Sequence, residues 1–159
     1  MTIGIDCGGN KVAIFDIDNG NTFVMEVNVR KMKLERGVVL RRIEEYLSRL
    51  HVAVPAFLES EIYVEAPVLA GARNIQSTIK VAQTTGVVHA ALAKTHEVAV
   101  SSWKKATVGN GNASKPQVQA WLDENHPSLA SMCRGNQDLY DAACIALYGR
   151  ELQQELEAP

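Results

Sequence analysis

The sequence predicts an α/β domain: a mixed five-stranded sheet with helices on both faces. Three observations predict it. Strand-like alternation fills the first thirty residues, two further short β runs follow at 60–67 and 97–102, and helical stripes lie between and after them. Three antiparallel strands followed by strands alternating with helices require a sheet of mixed direction, because only crossovers can return a chain to run parallel.

The first three strands are expected at Thr2 to Asp6, Lys11 to Asp18 and Thr22 to Val29. Between the second and third, DNGN at 18–21 supplies Asn-Gly, the strongest short hairpin signal. A helix follows, with Val39, Leu40, Ile43, Tyr46, Leu47 and Leu50 as its apolar stripe, ending before Pro55. SEIYVEAP at 60–67 reads as a strand closed by Pro67, with Glu65 at its C-terminal end.

A helix from about Asn74 to Lys94 is expected to turn Ile75, Ile79, Ala82, Gly86, Val87 and Ala90 inward. EVAVSS at 97–102 is the fifth strand, and WKKATVGNGNA at 103–113 reads as a loop. Ser114 and Gln117 then form a capping box ahead of a helix through Trp121 and Leu122. Asn136 caps a last helix from Gln137 to about Leu156, giving the order βββαβαβαα.

With 159 residues, one domain over 1–159 is the expectation, with 151–159 as an acidic C-terminal tail. That tail holds three of the 18 acids and no base, leaving 15 Asp+Glu against 16 Lys+Arg. The net charge of −2 does not advertise a nucleic-acid binder, so any such contact must come from a local patch. No run approaches the roughly 20 apolar residues of a membrane span, and no basic-then-apolar leader precedes the first strand, so a cytoplasmic protein with no membrane partner is expected. Cys7, Cys133 and Cys144 lack C-x-x-C spacing, and the four histidines lack metal-binding spacing.

Four acids carry the chemistry. Asp6 ends the first strand and runs into Gly8-Gly9; Glu65 ends the fourth; Asp138 and Asp141 stand three apart on one face of the last helix. Ala142, Ala143 and Ala146 behind them are small enough for that helix to sit close on the sheet. If all four meet, they repel one another strongly unless a cation is present. Hard divalent metal suits oxygen ligands, so Mg2+ (or Mn2+) is expected, two ions to a site, with Asp6 bridging them from the sheet centre. Each acid taken singly also suits a structural place: a strand-end turn, an exposed strand terminus, a helix-start acid.

IGIDCGG, IYVEAP and DLYDAACIALYG together resemble the RuvC family of Holliday-junction resolvases, within the ribonuclease H-like fold. KKATVGNGNASKPQVQ at 104–119 is similar to that family's K-x-x-V-x-G-x-G-x-x-x-K-x-Q-V segment, and the resemblance spans nearly the whole chain. It implies a homodimer that binds branched DNA, especially four-way junctions, and makes paired, metal-dependent nicks on strands of like polarity. The products carry 5'-phosphate and 3'-hydroxyl ends. It implies Asp6, Glu65, Asp138 and Asp141 as catalytic metal ligands, and Lys104 and Lys115 as basic groups near the scissile strand. Lys105 and Arg73 join them as expected DNA contacts, and Arg41, Arg42 and the basic stretch at 30–36 are further candidates. The compact length suits phage-encoded members, placing the protein in a bacterial cell or a phage's host.

The chain departs from the family at three points. Cys7 replaces the usual Pro, KVAI replaces T-G-Y-G, and Val68 stands where an aromatic often wedges into the junction; Leu69 is the nearest substitute. GIDCGGNK is also similar to the first phosphate motif of sugar kinases and actin-like ATPases, which need a second phosphate loop and an adenosine segment spread over two domains. Within nucleic-acid proteins, a hybrid-cutting ribonuclease H, a less selective flap or fork endonuclease, a YqgF-like relative and a non-catalytic junction binder are the alternatives.

Overall fold

The computed structural model describes residues 1–29, 33–68 and 75–158. Five strands, β1 (Thr2–Cys7), β2 (Lys11–Asp16), β3 (Asn21–Glu26), β4 (Glu61–Glu65) and β5 (Thr95–Val98), form one sheet ordered β3-β2-β1-β4-β5. β1 pairs antiparallel with β2 and parallel with β4, and β4 pairs parallel with β5. The mixed sheet expected from the sequence is therefore present, with β1 at its centre.

The first hairpin is tighter than the alternation suggests, because β2 stops at Asp16 and not at Asp18. Asp16 is fully buried, and its carboxylate accepts from the backbone N–H of Asp18 and Asn19 and from the amides of Asn19 and Asn21. Those bonds bend the chain two residues early. Gly20 closes the turn with φ +71°, a conformation that favours glycine.

Seven helices follow among the described residues: α1 (Arg36–Ala53), the single turn α2 (Ala56–Glu59), α3 (Ile75–Ala91), α4 (Val100–Val108), α5 (Lys115–Asn125), α6 (Pro127–Cys133) and α7 (Gln137–Glu157). They cover both faces of the sheet. On one face Ile3, Ile5, Val12, Ile14 and Val64 pack with Val39, Ile43 and Leu47 of α1 and Val88 of α3. On the other, Ala13, Phe15 and Tyr63 pack with Trp103, Val118 and Leu122 and with the small residues of α7. Cys7, Cys133 and Cys144 are buried free thiols. Among the described residues no helix is long and apolar enough to cross a membrane.

Helix α7 lies almost against the backbone of β1. A Cβ added at Gly4 would sit 2.0 Å from the Ala142 carbonyl oxygen, and one at Gly149 would sit 2.2 Å from the Tyr63 ring. Glycine at both positions, with alanines between, is what lets the helix approach. Residues 151–157, the acidic tail, are the last turns of this helix, in line with its expected end near Leu156.

Three expectations are corrected. Residues 103–108 are helical and not a loop: Trp103 and Thr107 are buried in α4, whose start at Val100 also shortens β5 to Thr95–Val98. Burial of the Trp103 indole supplies what the weak helix propensity of this β-branched and serine-containing segment does not. Helix α3 is rotated relative to the expected stripe, with Thr84, Thr85 and Val88 inward and Ile75 and Ile79 at 49% and 45% exposure. The Thr84 hydroxyl is bonded to the carbonyls of Gly9 and Lys80 and to Arg36, so a polar residue fills an inward place. Finally, α2 and α6 are short helices that the sequence pattern did not reveal.

Candidate active site

The alternation of β1 puts Ile3 and Ile5 on one face and Gly4 and Asp6 on the other, so Asp6 faces the helix that crosses Gly4. The register pairs Ile5 with Val64, which brings Glu65 beside Asp6 at the ends of two parallel central strands. In open α/β sheets the crevice beyond such strand ends is the usual ligand site. Asn136 accepts from the N–H groups of Asp138 and Leu139 and so fixes where α7 begins. Asp138 and Asp141 consequently sit on its first turns, their side chains 14% and 9% exposed.

These four acids feel one another. Burial, then the charges of Glu65, Asp141 and Asp138, push the Asp6 carboxyl well above the usual carboxylate range. Burial also raises Glu65 and Asp141, against the opposing pull of the Trp103 N–H on Glu65 and of Lys115 on Asp141. Among the described residues, however, no three such side chains converge as a ready-made cage for one ion. Ammonium groups stand among them. Lys11 Nζ is hydrogen-bonded to Asp138 Oδ2, while Lys115 Nζ lies 3.4 Å from Asp138 Oδ1 and 3.5 Å from Asp141 Oδ2. Burial disfavours the Lys115 ammonium, but Asp141, Asp138 and Asp6 outweigh it and raise its pKa.

An all-oxygen donor set, mutually repelling and partly neutralised by ammonium groups, fits a hard divalent cation. The basic residues expected nearby divide as follows. Lys115, at the start of α5, reaches the acids directly. Lys104 donates to the Ala113 carbonyl at 2.8 Å and lies 5.4 Å from the Trp103 ring centre, close enough to act on Glu65 and Asp141. Lys105 is exposed on α4. Arg73 and Leu69 lie outside the described residues, as do positions 30–32 of the basic stretch, while Val68 is 54% exposed just beyond Glu65.

The profile of the family described as crossover junction endodeoxyribonuclease RuvC matches residues 2–148. The chain belongs to the RuvC family. A crossover junction endodeoxyribonuclease RuvC of Erythrobacter litoralis is 32% identical over 124 residues, covering 70% of each chain. Another from Porphyromonas gingivalis is 34% identical over 86 residues, covering 51% of this chain and 44% of its own. The match thus spans less than half the length of some of these relatives. In structure, the chain resembles T. thermophilus RuvC in complex with Holliday junction substrate, with a TM-score of 0.72 at 18% identity over 98% of this chain and 96% of the other. That likeness establishes the ribonuclease H-like fold, and the family is one of metal-dependent nucleases.

Trp103 and Lys11 were not anticipated at the site, and Arg36, expected with the basic stretch 30–36 as a phosphate contact, bonds protein groups. Trp103 donates its Nε1–H to Glu65 Oε2 at 3.1 Å. Arg36 bonds the Gly9 and Lys80 carbonyls and Thr84 Oγ1, tying the loop after Asp6 to α1 and α3. Lys11 lies inside KVAI, one of the family departures, and period-two alternation says only which side of a strand its long stem leaves from.

Proposed function

We propose that this protein is a divalent-metal-dependent endodeoxyribonuclease that resolves four-way DNA junctions by paired nicks on strands of like polarity. The observation that carries the reading is the acidic quartet around Asp6, faced by Lys115, Lys104 and Lys11 at the ends of the central strands. Acids alone suit a metal; acids flanked by lysines suit a metal that must also meet a phosphodiester.

Asp6, Glu65, Asp138 and Asp141 are the residues that would hold Mg2+ or Mn2+, two ions to a site. Such ions, when bound, activate a water and stabilise the departing 3'-oxygen, leaving 5'-phosphate and 3'-hydroxyl ends. The protein's own part is to orient. Trp103 fixes the Glu65 carboxylate, Gln137 lies 3.4 Å from Asp141 Oδ1 from one helical turn before it, and Arg36 holds the loop that follows Asp6. Lys104, Lys105, Lys115 and Arg73 contact DNA phosphates.

A four-way junction is nearly twofold, and a twofold dimer presents two equal sites to it. The exposed side of α3, with Ile75, Ile79, Gly86 and Ala90, suits a dimer face: these residues are turned from the core, and among the described residues nothing beyond its chain neighbours and its own helix backbone lies within 4 Å of where a Gly86 Cβ would be. The place of action is the bacterial cytoplasm, or that of a phage's host.

The test is cleavage of a synthetic four-way junction, with linear duplex, flap and RNA–DNA hybrid in parallel, each with Mg2+ and with chelator. Paired, metal-dependent nicks confined to the junction support the proposal. Equal cutting of flaps and forks makes it a general branched-DNA nuclease, and tight binding without cleavage makes it a junction-binding protein.

A further inference from the structure

Asp138 differs from the other three acids in having both oxygens taken by ammonium groups. Lys115 approaches Oδ1 from the start of α5, and Lys11 bonds Oδ2 from the start of β2, 127 residues away in sequence. The Lys11 contact is built and not incidental. The Gly8 N–H donates to the Lys11 carbonyl at 2.9 Å, which fixes where the side chain begins. The stem then lies across Gly8, where an added Cβ would be 2.6 Å from Lys11 Cγ and 3.0 Å from Cε. Only glycine leaves that path open.

The pair is partly withdrawn from water, with the Lys11 side chain 34% exposed and that of Asp138 14%. A carboxylate oxygen engaged by an ammonium does not direct the same lone pair at a metal, and the ammonium's charge repels a dication at short range. Equally, without that ammonium, Asp138 would add an unbalanced charge to Asp6, Glu65 and Asp141. The lysine therefore favours the empty site and opposes the filled one.

We infer that Lys11 is a displaceable internal counter-ion of Asp138, whose ammonium must leave Oδ2 before Asp138 ligates a divalent cation, and which thereby sets the metal concentration at which the site fills. This rests on the reading of the quartet as a metal site. The flexible stem and the partial exposure of the side chain give the ammonium a way out towards solvent.

The experiment titrates Mn2+ into the full-length protein and follows the free-ion electron paramagnetic resonance signal, for wild type and for Lys11→Met, with circular dichroism to show that both are folded. Lys11→Met is expected to bind Mn2+ about fivefold more tightly, the scale of a partly exposed ion pair, and to melt at a lower temperature in chelator. Unchanged or weaker Mn2+ binding by folded Lys11→Met overturns the inference. Should Lys11→Met not fold, Gly8→Ala decides the matter, because its methyl displaces the stem: tighter Mn2+ binding supports the inference and unchanged or weaker binding overturns it. Wild-type junction cleavage run alongside separates the two levels. Cleavage with Mn2+ bound but no change in the variants removes the counter-ion role alone, whereas a wild type that binds no Mn2+ removes the metal site with it.

Discussion

The indole N–H of Trp103 donates to Glu65 Oε2 at 3.1 Å, joining a fully buried residue of α4 to the last residue of β4. A hydrogen bond to the ionised carboxylate opposes the burial that raises the Glu65 pKa. Trp103→Phe keeps a ring but loses the donor. The acid limb of the cleavage pH profile is expected to move to higher pH by about one unit, since a bond to a charged group contributes roughly 1.5 kcal/mol. A pH–rate profile of the variant checks it.

Asp6 should stabilise the protein only when a cation is present. Folding raises its pKa, chiefly through burial and then through Glu65, so the native chain retains a proton that the unfolded chain loses above about pH 4. Stability therefore falls as pH rises from there through the raised native pKa, and the ionised group is a cost above it. In chelator at pH 7, Asp6→Asn is expected to increase unfolding free energy by about 1–2 kcal/mol, with the gain shrinking towards pH 4. Denaturant titrations at both pH values provide the comparison.

Gly4→Ala is expected to damage fold and site together. The new methyl would meet the Ala142 carbonyl at 2.0 Å and force α7 off the sheet, carrying Asp138 and Asp141 with it. A loss of about 3 kcal/mol is anticipated for such overpacking. Chemical denaturation measures the first effect, and a fall in cleavage of more than about tenfold, about 1.4 kcal/mol of barrier, measures the second.

Lys115→Ala tests the phosphate contact. Its side chain is 57% exposed and its ammonium lies at the edge of the acids. The slope of log affinity for a four-way junction against log salt is expected to become shallower by about one. An unchanged slope in binding titrations would leave Lys115 as a partner of Asp138 and Asp141 only.

Strand ends, caps and small residues made most of this architecture legible. Asp6 and Glu65 close short apolar runs, Asn136 precedes two acids three apart, and Ser114 with Gln117 announces α5 by a capping box that the structure contains. What escaped depends on tertiary contacts. Helix α4 has no side-chain cap at Ala99 and is held by burying Trp103. Helix α3 carries Ile, Val and Thr around much of its circumference, so its inward face is set by Thr84 meeting Gly9 and Arg36 as well as by burial of Val88. The role of Lys11 turns on Gly8, four residues of local sequence that bring a base to an acid at the far end of the chain.

The most direct measurement compares wild type with Asp6→Asn on one labelled four-way junction, recording binding in chelator and nicking after Mg2+ is added. The account predicts equal binding, paired nicks by the wild type and no detectable nicks by the variant. Wild-type rates of nicking by Asp6→Asn would contradict it, because the acid at the centre of the sheet would then take no part in the chemistry.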